Sequence, residues 1–187
     1  MAKNKQLVTP IGTIKFPKTQ LRDGSEVNNI TIPANYDAEI DKNKVSWTFA
    51  LAFSKEEGAE VLKELATMEG SIAKLTNKLV KADTSKNEET DKYEDNGGVL
   101  INFKSKFPPK IVDAAKTTIN GSVGFGSKAR IVFSPSPYDY KNLRGITCWA
   151  SIVQVTELSS SNDLDILGNL DIPVTTDVPA EEVSWEE

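Results

Sequence analysis

Residues 96–144 carry eight bases (Lys104, Lys106, Lys110, Lys116, Lys128, Arg130, Lys141, Arg144) against two acids, Asp113 and Asp139. Aromatic residues are interleaved with them. Phe125 sits between Gly124 and Gly126, Tyr138 and Tyr140 precede Lys141, and Trp149 follows Arg144. Cations at this density suit a polyanionic partner. Planar faces among them suit unstacked bases, each stacking contact being worth about 1–3 kcal/mol. Lys104, Lys106, Lys110, Lys128, Arg130, Lys141 and Arg144 are therefore candidate phosphate contacts, and Phe125, Tyr138, Tyr140 and Trp149 candidate stacking faces. Plainer readings stand beside these. Any single lysine also serves as a solubilising face, Phe125 as a loop anchor, and the two tyrosines as packing under their own turn. Gly124 and Gly126 lack the spacing of a P-loop or a dinucleotide fingerprint.

Other chemistry is excluded by composition. The chain has no histidine and a single cysteine, Cys148. Ser-His-Asp and Cys-His catalysis, histidine-ligated metals and an internal disulfide are thereby ruled out. Cys148 lies in the apolar run ITCWASIV, which reads as a buried, inert thiol. No paired-carboxylate site stands out, so the expectation is a binding protein, not an enzyme, with no cofactor. No apolar run nears the roughly 18 residues of a membrane span. The start, MAKNKQLVTP, has no apolar h-region.

Charge divides the chain. Residues 159–187 hold eight carboxylates and no Lys or Arg, whereas the whole chain of 187 residues is −5, leaving +3 on residues 1–158. The expectation is one folded domain over 1–158 and a flexible acidic tail over 159–187 that competes for the basic face. Asp177, Glu181, Glu182, Trp185, Glu186 and Glu187 are its candidate partner contacts.

Sequence periodicity supplies the elements that must hold these residues. In VSWTFALAF, Val45, Trp47, Phe49, Leu51 and Phe53 alternate with small or polar residues, as in a half-buried strand. Trp47 and Phe49 are read as core, with base stacking as the alternative. Ser54 and Glu57 form a capping box, and apolar residues from Val61 to Leu79 at three- and four-residue steps predict an amphipathic helix to about Ala82, weakened at Gly70. Residues 83–97 read as a polar, poorly ordered loop. In VLINFKSKF, Val99, Ile101, Phe103 and Phe107 form one face, Lys104 and Lys106 the other, and Pro108-Pro109 ends the strand. SKARIVFS repeats the device with Lys128 and Arg130 outward. SPSPYDYKNLR reads as a connection, and residues 145–158 as a last strand whose alternation slips near Ala150, a sign of a bulge. Ile11–Phe16 and Val27–Ile32 are further strand candidates. The order β-β-β-α-β-β predicts a mainly β chain: an OB-fold Greek-key barrel with one amphipathic helix.

INFKSKFPPKIVD, GSKARIVFSPSPYDY, GITCWASIVQVTEL, the start LVTPIGTIKFP and an acidic tail with a late aromatic together resemble the single-stranded-DNA-binding proteins of short-tailed, T7-like bacteriophages. The resemblance covers both ends of the body and is thin over residues 18–44 and 54–97. It implies an OB-fold that coats single-stranded DNA in phage replication and recombination, in the cytoplasm of an infected bacterium. It also implies homodimerisation and a tail that contacts the phage DNA polymerase and primase-helicase. Lys104, Lys106, Lys128 and Arg130 lie in the matching strands. The tail departs from the family pattern, since Trp185 is followed by Glu186 and Glu187 instead of ending the chain. A protein-interaction module with no nucleic-acid role, and a carbohydrate-binding barrel, are the competing readings.

Overall fold

Alternation of large apolar and small residues makes residues Ser46–Ser54 strand β4, which lies between β2 (Gly12–Gln20) and β6 (Tyr93–Ser105) in the sheet. Trp47, Phe49, Leu51 and Phe53 are buried on its inner side. The Trp47 indole N–H donates to the Thr31 carbonyl at 2.7 Å, so its only polar atom is satisfied inside. Trp47 and Phe49 are thus core residues and not stacking platforms. The computed structural model describes residues 5–66, 79–140 and 143–159; the side chains of residues 139, 140, 143 and 144 also fall outside the described residues.

The remaining elements are β1 (Leu7–Val8), β2 (Gly12–Gln20), β3 (Glu26–Val27), α1 (Ala38–Asp41), α2 (Lys55–Ala66), β5 (Val80–Lys86), β6 (Tyr93–Ser105), β7 (Lys110–Val112), β8 (Lys128–Tyr140) and β9 (Leu143–Glu157). Five strands close a ring: β2 pairs with β4, β4 with β6, β6 with β9, β9 with β8, and β8 with β2. Only β6 and β9 run parallel within it. Inside, Phe103 stacks on Phe49 with ring centroids 5.7 Å apart and meets Phe133 edge-on at 5.2 Å. Truncating such a ring to alanine typically costs about 3–5 kcal/mol.

Irregularities in two ladders, one slip in β2 and two in β9, shape the outer surface. In β2 the register slips between Lys15, opposite Ala50, and Lys18, opposite Thr48, so Phe16 and Pro17 together face one residue of β4. In β9 it slips at Ser151 and again at Thr156, as the sequence near Ala150 foretells. Each of these extra residues turns its hydroxyl to the β8 backbone, Ser151 donating to the Val132 carbonyl at 3.0 Å and Thr156 to that of Lys128 at 3.2 Å.

Several elements differ from the sequence expectation. The capping box forms: the Ser54 hydroxyl accepts from the Glu57 N–H at 3.2 Å, and the Glu57 carboxylate accepts from the Ser54 N–H at 3.3 Å. The helix it starts, however, does not reach Ala82. Residues 80–86 are strand, and residues 67–78, with Gly70, lie outside the described residues. Residues 83–97 are not a loop but most of a hairpin, Lys86 pairing with Tyr93. Its cross-strand ladder overrides a polar composition that has little to bury. Residues 134–140 and 143–144 are likewise strand, forming a two-stranded β8–β9 ribbon paired out to Tyr140 and Leu143. Pro135 and Pro137 are tolerated because, at alternate positions on a strand with no second neighbour there among the described residues, their missing N–H groups leave the pairing side intact. Phe107 lies beyond the end of β6 and is exposed, because the Ser105 hydroxyl donates to the Phe107 carbonyl and bends the chain out of line. The helix also follows two ring strands, not three, since the Val27–Ile32 candidate supplies only β3 and a bridge from Ile30 to Val123.

Candidate nucleic-acid interface

Paired residues in a sheet share a face, so register alone builds the site. Lys18 pairs with Thr48, Thr48 with Lys104, Lys104 with Trp149, and Trp149 with Ser134. None of these five is buried, and together they form a row across the outer surface of five strands. Three strand steps separate Lys18 from Trp149, about 14 Å at ~4.8 Å per step. The next row holds Lys15, Ala50 and Asn102. The middle of the two rows carries only short side chains, Thr48 partly exposed and Ala50 buried, with cations on either side.

Lys106 reaches over the Trp149 ring, its ammonium 5.7 Å from the centroid, which orients the indole and keeps a charge beside it. Trp149 itself is half-buried. At the foot of the β8–β9 ribbon the Tyr138 ring lies over Gly145, so close that a Cβ there would meet the phenol oxygen at 2.6 Å. A groove of about 300 Å³ runs between Lys104, Asn102, Thr147, Ile146 and Tyr138. Lys104 has no acidic partner among the described residues.

The remaining sequence candidates scatter. Lys128 is exposed but held by Glu157, Nζ to Oε2 2.8 Å, so its charge is already matched. That partner sits 29 residues away and only the β8–β9 pairing brings it there. Lys110 pairs with Ile152, which pairs with Val132, and Arg130 pairs with Gln154. They lie further along β9 than Trp149, with Gln154 about 16 Å from it by strand rise. The side chains of Tyr140 and Arg144, and Lys141 altogether, fall outside the described residues, as do Asp177, Glu181, Glu182, Trp185, Glu186 and Glu187.

Phe125 is not a loop anchor tucked into the core: it is 53% exposed. Its ring meets Phe16 edge-on, centroids 6.5 Å apart, and the Lys15 ammonium stands 4.9 Å from its centroid. Lys15, Phe16 and Lys18 were not singled out by the sequence reasoning. The signal was there in TIKFPK, where Pro17 interrupts the alternation and marks the bulge. Lys18 also pairs with Glu26 at 2.7 Å, both side chains exposed.

Cys148 is buried beneath the row, and burial pushes its thiol up to about 12, leaving it protonated and unreactive. Among the described residues no cluster of His, Cys, Asp or Glu could hold a metal ion, and no helix is long and apolar enough to cross a membrane.

No protein-family model and no curated protein matches the chain. Solved structures do. The C-terminally truncated single-stranded DNA-binding protein from bacteriophage Enc34 matches with a TM-score of 0.52, covering 82% of this chain and 86% of that one at 13% identity. The same phage protein in complex with single-stranded DNA matches with a TM-score of 0.50, covering 82% and 87% at 11% identity. The gp2.5 single-stranded DNA-binding protein encoded by bacteriophage T7 has a TM-score of 0.49, covering 86% and 95% at 16% identity. The chain thus shares its fold with the Enc34 single-stranded DNA-binding protein, at very different sequence.

Proposed function

We propose that this chain binds single-stranded DNA without base preference, along the row that runs from Lys18 through Lys104 and Trp149 to the β8–β9 ribbon. The observation that carries the reading is the register itself. Pairing across five strands sets Lys104, which has no acidic partner among the described residues, beside Trp149, with Lys106 over its ring, so a backbone-neutralising cation and a stacking face occupy one site. The closed order β2-β4-β6-β9-β8 with a single parallel pair supports an OB-fold Greek-key barrel, whose outer face commonly binds oligonucleotides. The Enc34 protein that shares the fold, seen with single-stranded DNA, supports the ligand. The role is that of a DNA-coating protein in phage replication and recombination, and not of an enzyme.

The acidic tail completes the proposal. With eight carboxylates and no base over residues 159–187, it competes with phosphate for the lysines when DNA is absent. Displaced by DNA, it is freed to contact the phage polymerase and primase-helicase, and a homodimer is the assembly proposed with it. These parts rest on charge and on the sequence resemblance.

The test is a salt series of oligothymidylate binding, followed by tryptophan fluorescence, on the full chain and on a chain ended after Ser159. Trp47 is buried, so quenching by DNA must come from Trp149 or Trp185. The expected results are quenching of the shortened chain, affinity that falls steeply with salt, and tighter binding without the tail at low salt. Affinity insensitive to salt overturns the mechanism. Binding of a basic or acidic protein with no affinity for DNA favours the interaction-module reading.

A further inference from the structure

The bulge of β2 displays two aromatic rings that the core does not use. Phe16 is 62% exposed and Phe125 is 53% exposed, and their rings touch edge to face. Phe16 also holds a left-handed backbone, φ 49°. That conformation strains any residue with a Cβ, and strain of this kind concentrates at functional sites. Phe125 is presented by a loop fastened before it to Ile30, through paired backbone bonds of Val123, and after it to β2. The Gly126 N–H donates to the Ile14 carbonyl at 2.9 Å, and the Ile14 N–H to the Ser127 carbonyl at 2.8 Å, with Gly126 itself at φ 87°. A fastened loop and a strained bulge hold two rings in water where packing would otherwise turn them inward. Lys15, over the Phe125 ring, adds a charge at the same spot.

The position matters as much as the chemistry. Lys15 occupies the row next to Lys18–Thr48–Lys104–Trp149, so the ring pair continues the surface described above at the end remote from the β8–β9 ribbon. We infer that Phe16 and Phe125 form a second stacking subsite, which receives a base of a single-stranded nucleic acid whose backbone crosses Lys104, with Lys15 on the adjoining phosphate. The inference rests on the single-strand reading and extends the bound path from the ribbon to the far side of the ring.

The test measures affinity and melting temperature together for Phe125→Leu and Phe16→Gly in the full chain, using an oligothymidylate and an abasic oligonucleotide of the same length. Leucine keeps apolar volume but removes the ring. Glycine adopts the Phe16 backbone without strain. Each variant is expected to bind the oligothymidylate roughly 5- to 100-fold more weakly, to bind the abasic strand as the parent does, and, for Phe16→Gly, to melt no lower than the parent. Parental affinity for oligothymidylate in both variants overturns the subsite. So does an equal loss for both strands accompanied by a lower melting temperature, which marks a merely structural ring pair. A parent chain that itself ignores oligothymidylate sinks the single-strand reading beneath it, and the two failures are therefore distinct.

Discussion

Lys104→Gln and Lys128→Gln remove the same charge from neighbouring regions of the sequence, yet the fold predicts opposite outcomes. Lys104 stands between Thr48 and Trp149 with no acidic partner among the described residues. Lys128 is held by Glu157 at 2.8 Å with both side chains exposed. Each phosphate neutralised on a single strand contributes about −0.7 to the slope of log affinity against log salt. Removing Lys104 should therefore flatten the slope by about 0.7 and weaken binding at 0.1 M salt about fivefold relative to 1 M, or ~1 kcal/mol. For Lys128, DNA would first have to displace Glu157 and leave a bare carboxylate near the phosphates. A surface pair of that kind is worth only about 0–1 kcal/mol, but the charge it offers DNA is largely cancelled, so the slope should barely change. The assay is fluorescence titration with oligothymidylate at four or more salt concentrations. An unchanged slope for Lys104→Gln would refute the phosphate contact. Equal slope changes for both variants would refute the use of register and ion pairing to choose among the lysines.

Three further perturbations test the fold around the site. Gly145→Ala should displace the Tyr138 ring, whose phenol oxygen a Cβ would meet at 2.6 Å, and lower oligothymidylate affinity several-fold with little change in denaturation midpoint; unchanged affinity would remove Tyr138 from the site. Gly58→Ala in α2 should destabilise by about 1–3 kcal/mol despite alanine's better helix propensity, because its Cβ would fall 2.0 Å from a Val99 methyl; a higher urea midpoint would contradict the packing. Asp41→Asn concerns acid stability. Hydrogen bonds from Arg22 and from the Asp37 N–H, in that order, hold the Asp41 carboxyl at about 2, below its ordinary value. A depressed carboxylate stabilises the fold fully above the unfolded-state value near 4 and loses that contribution as pH falls through about 2. The variant's deficit in urea midpoint should then be constant at neutral pH and shrink between pH 4 and 2, and a deficit that stays constant into acid would refute the assignment.

How much was legible beforehand depended on the range of the interactions involved. Alternation over residues 45–53, the Ser54–Glu57 capping box and the bulge near Ala150 are local signals, and each is present in the structure. Burial of Trp47 and of Cys148 follows from the same local patterns. The outer part of the hairpin, residues 83–97, was misread because its two strands are stabilised by each other and not by an apolar face of their own. The ribbon through SPSPYDY was misread because proline argues against a strand unless its free side has no neighbour, which composition does not reveal.

Sequence by itself determined the chemistry available here: no histidine, one buried thiol, a basic aromatic-rich segment and a tail of eight carboxylates without a base. It also determined which strand faces turn inward, since a period of two needs only neighbouring residues. Tertiary structure alone decided which cations are usable. Glu157 cancels Lys128 from 29 positions away and Glu26 is matched to Lys18, while Lys104, with no acidic partner among the described residues, is set beside Trp149. Strand pairing sets those neighbours, and pairing partners are chosen by the closure of the whole ring, a non-local balance that no window of sequence contains.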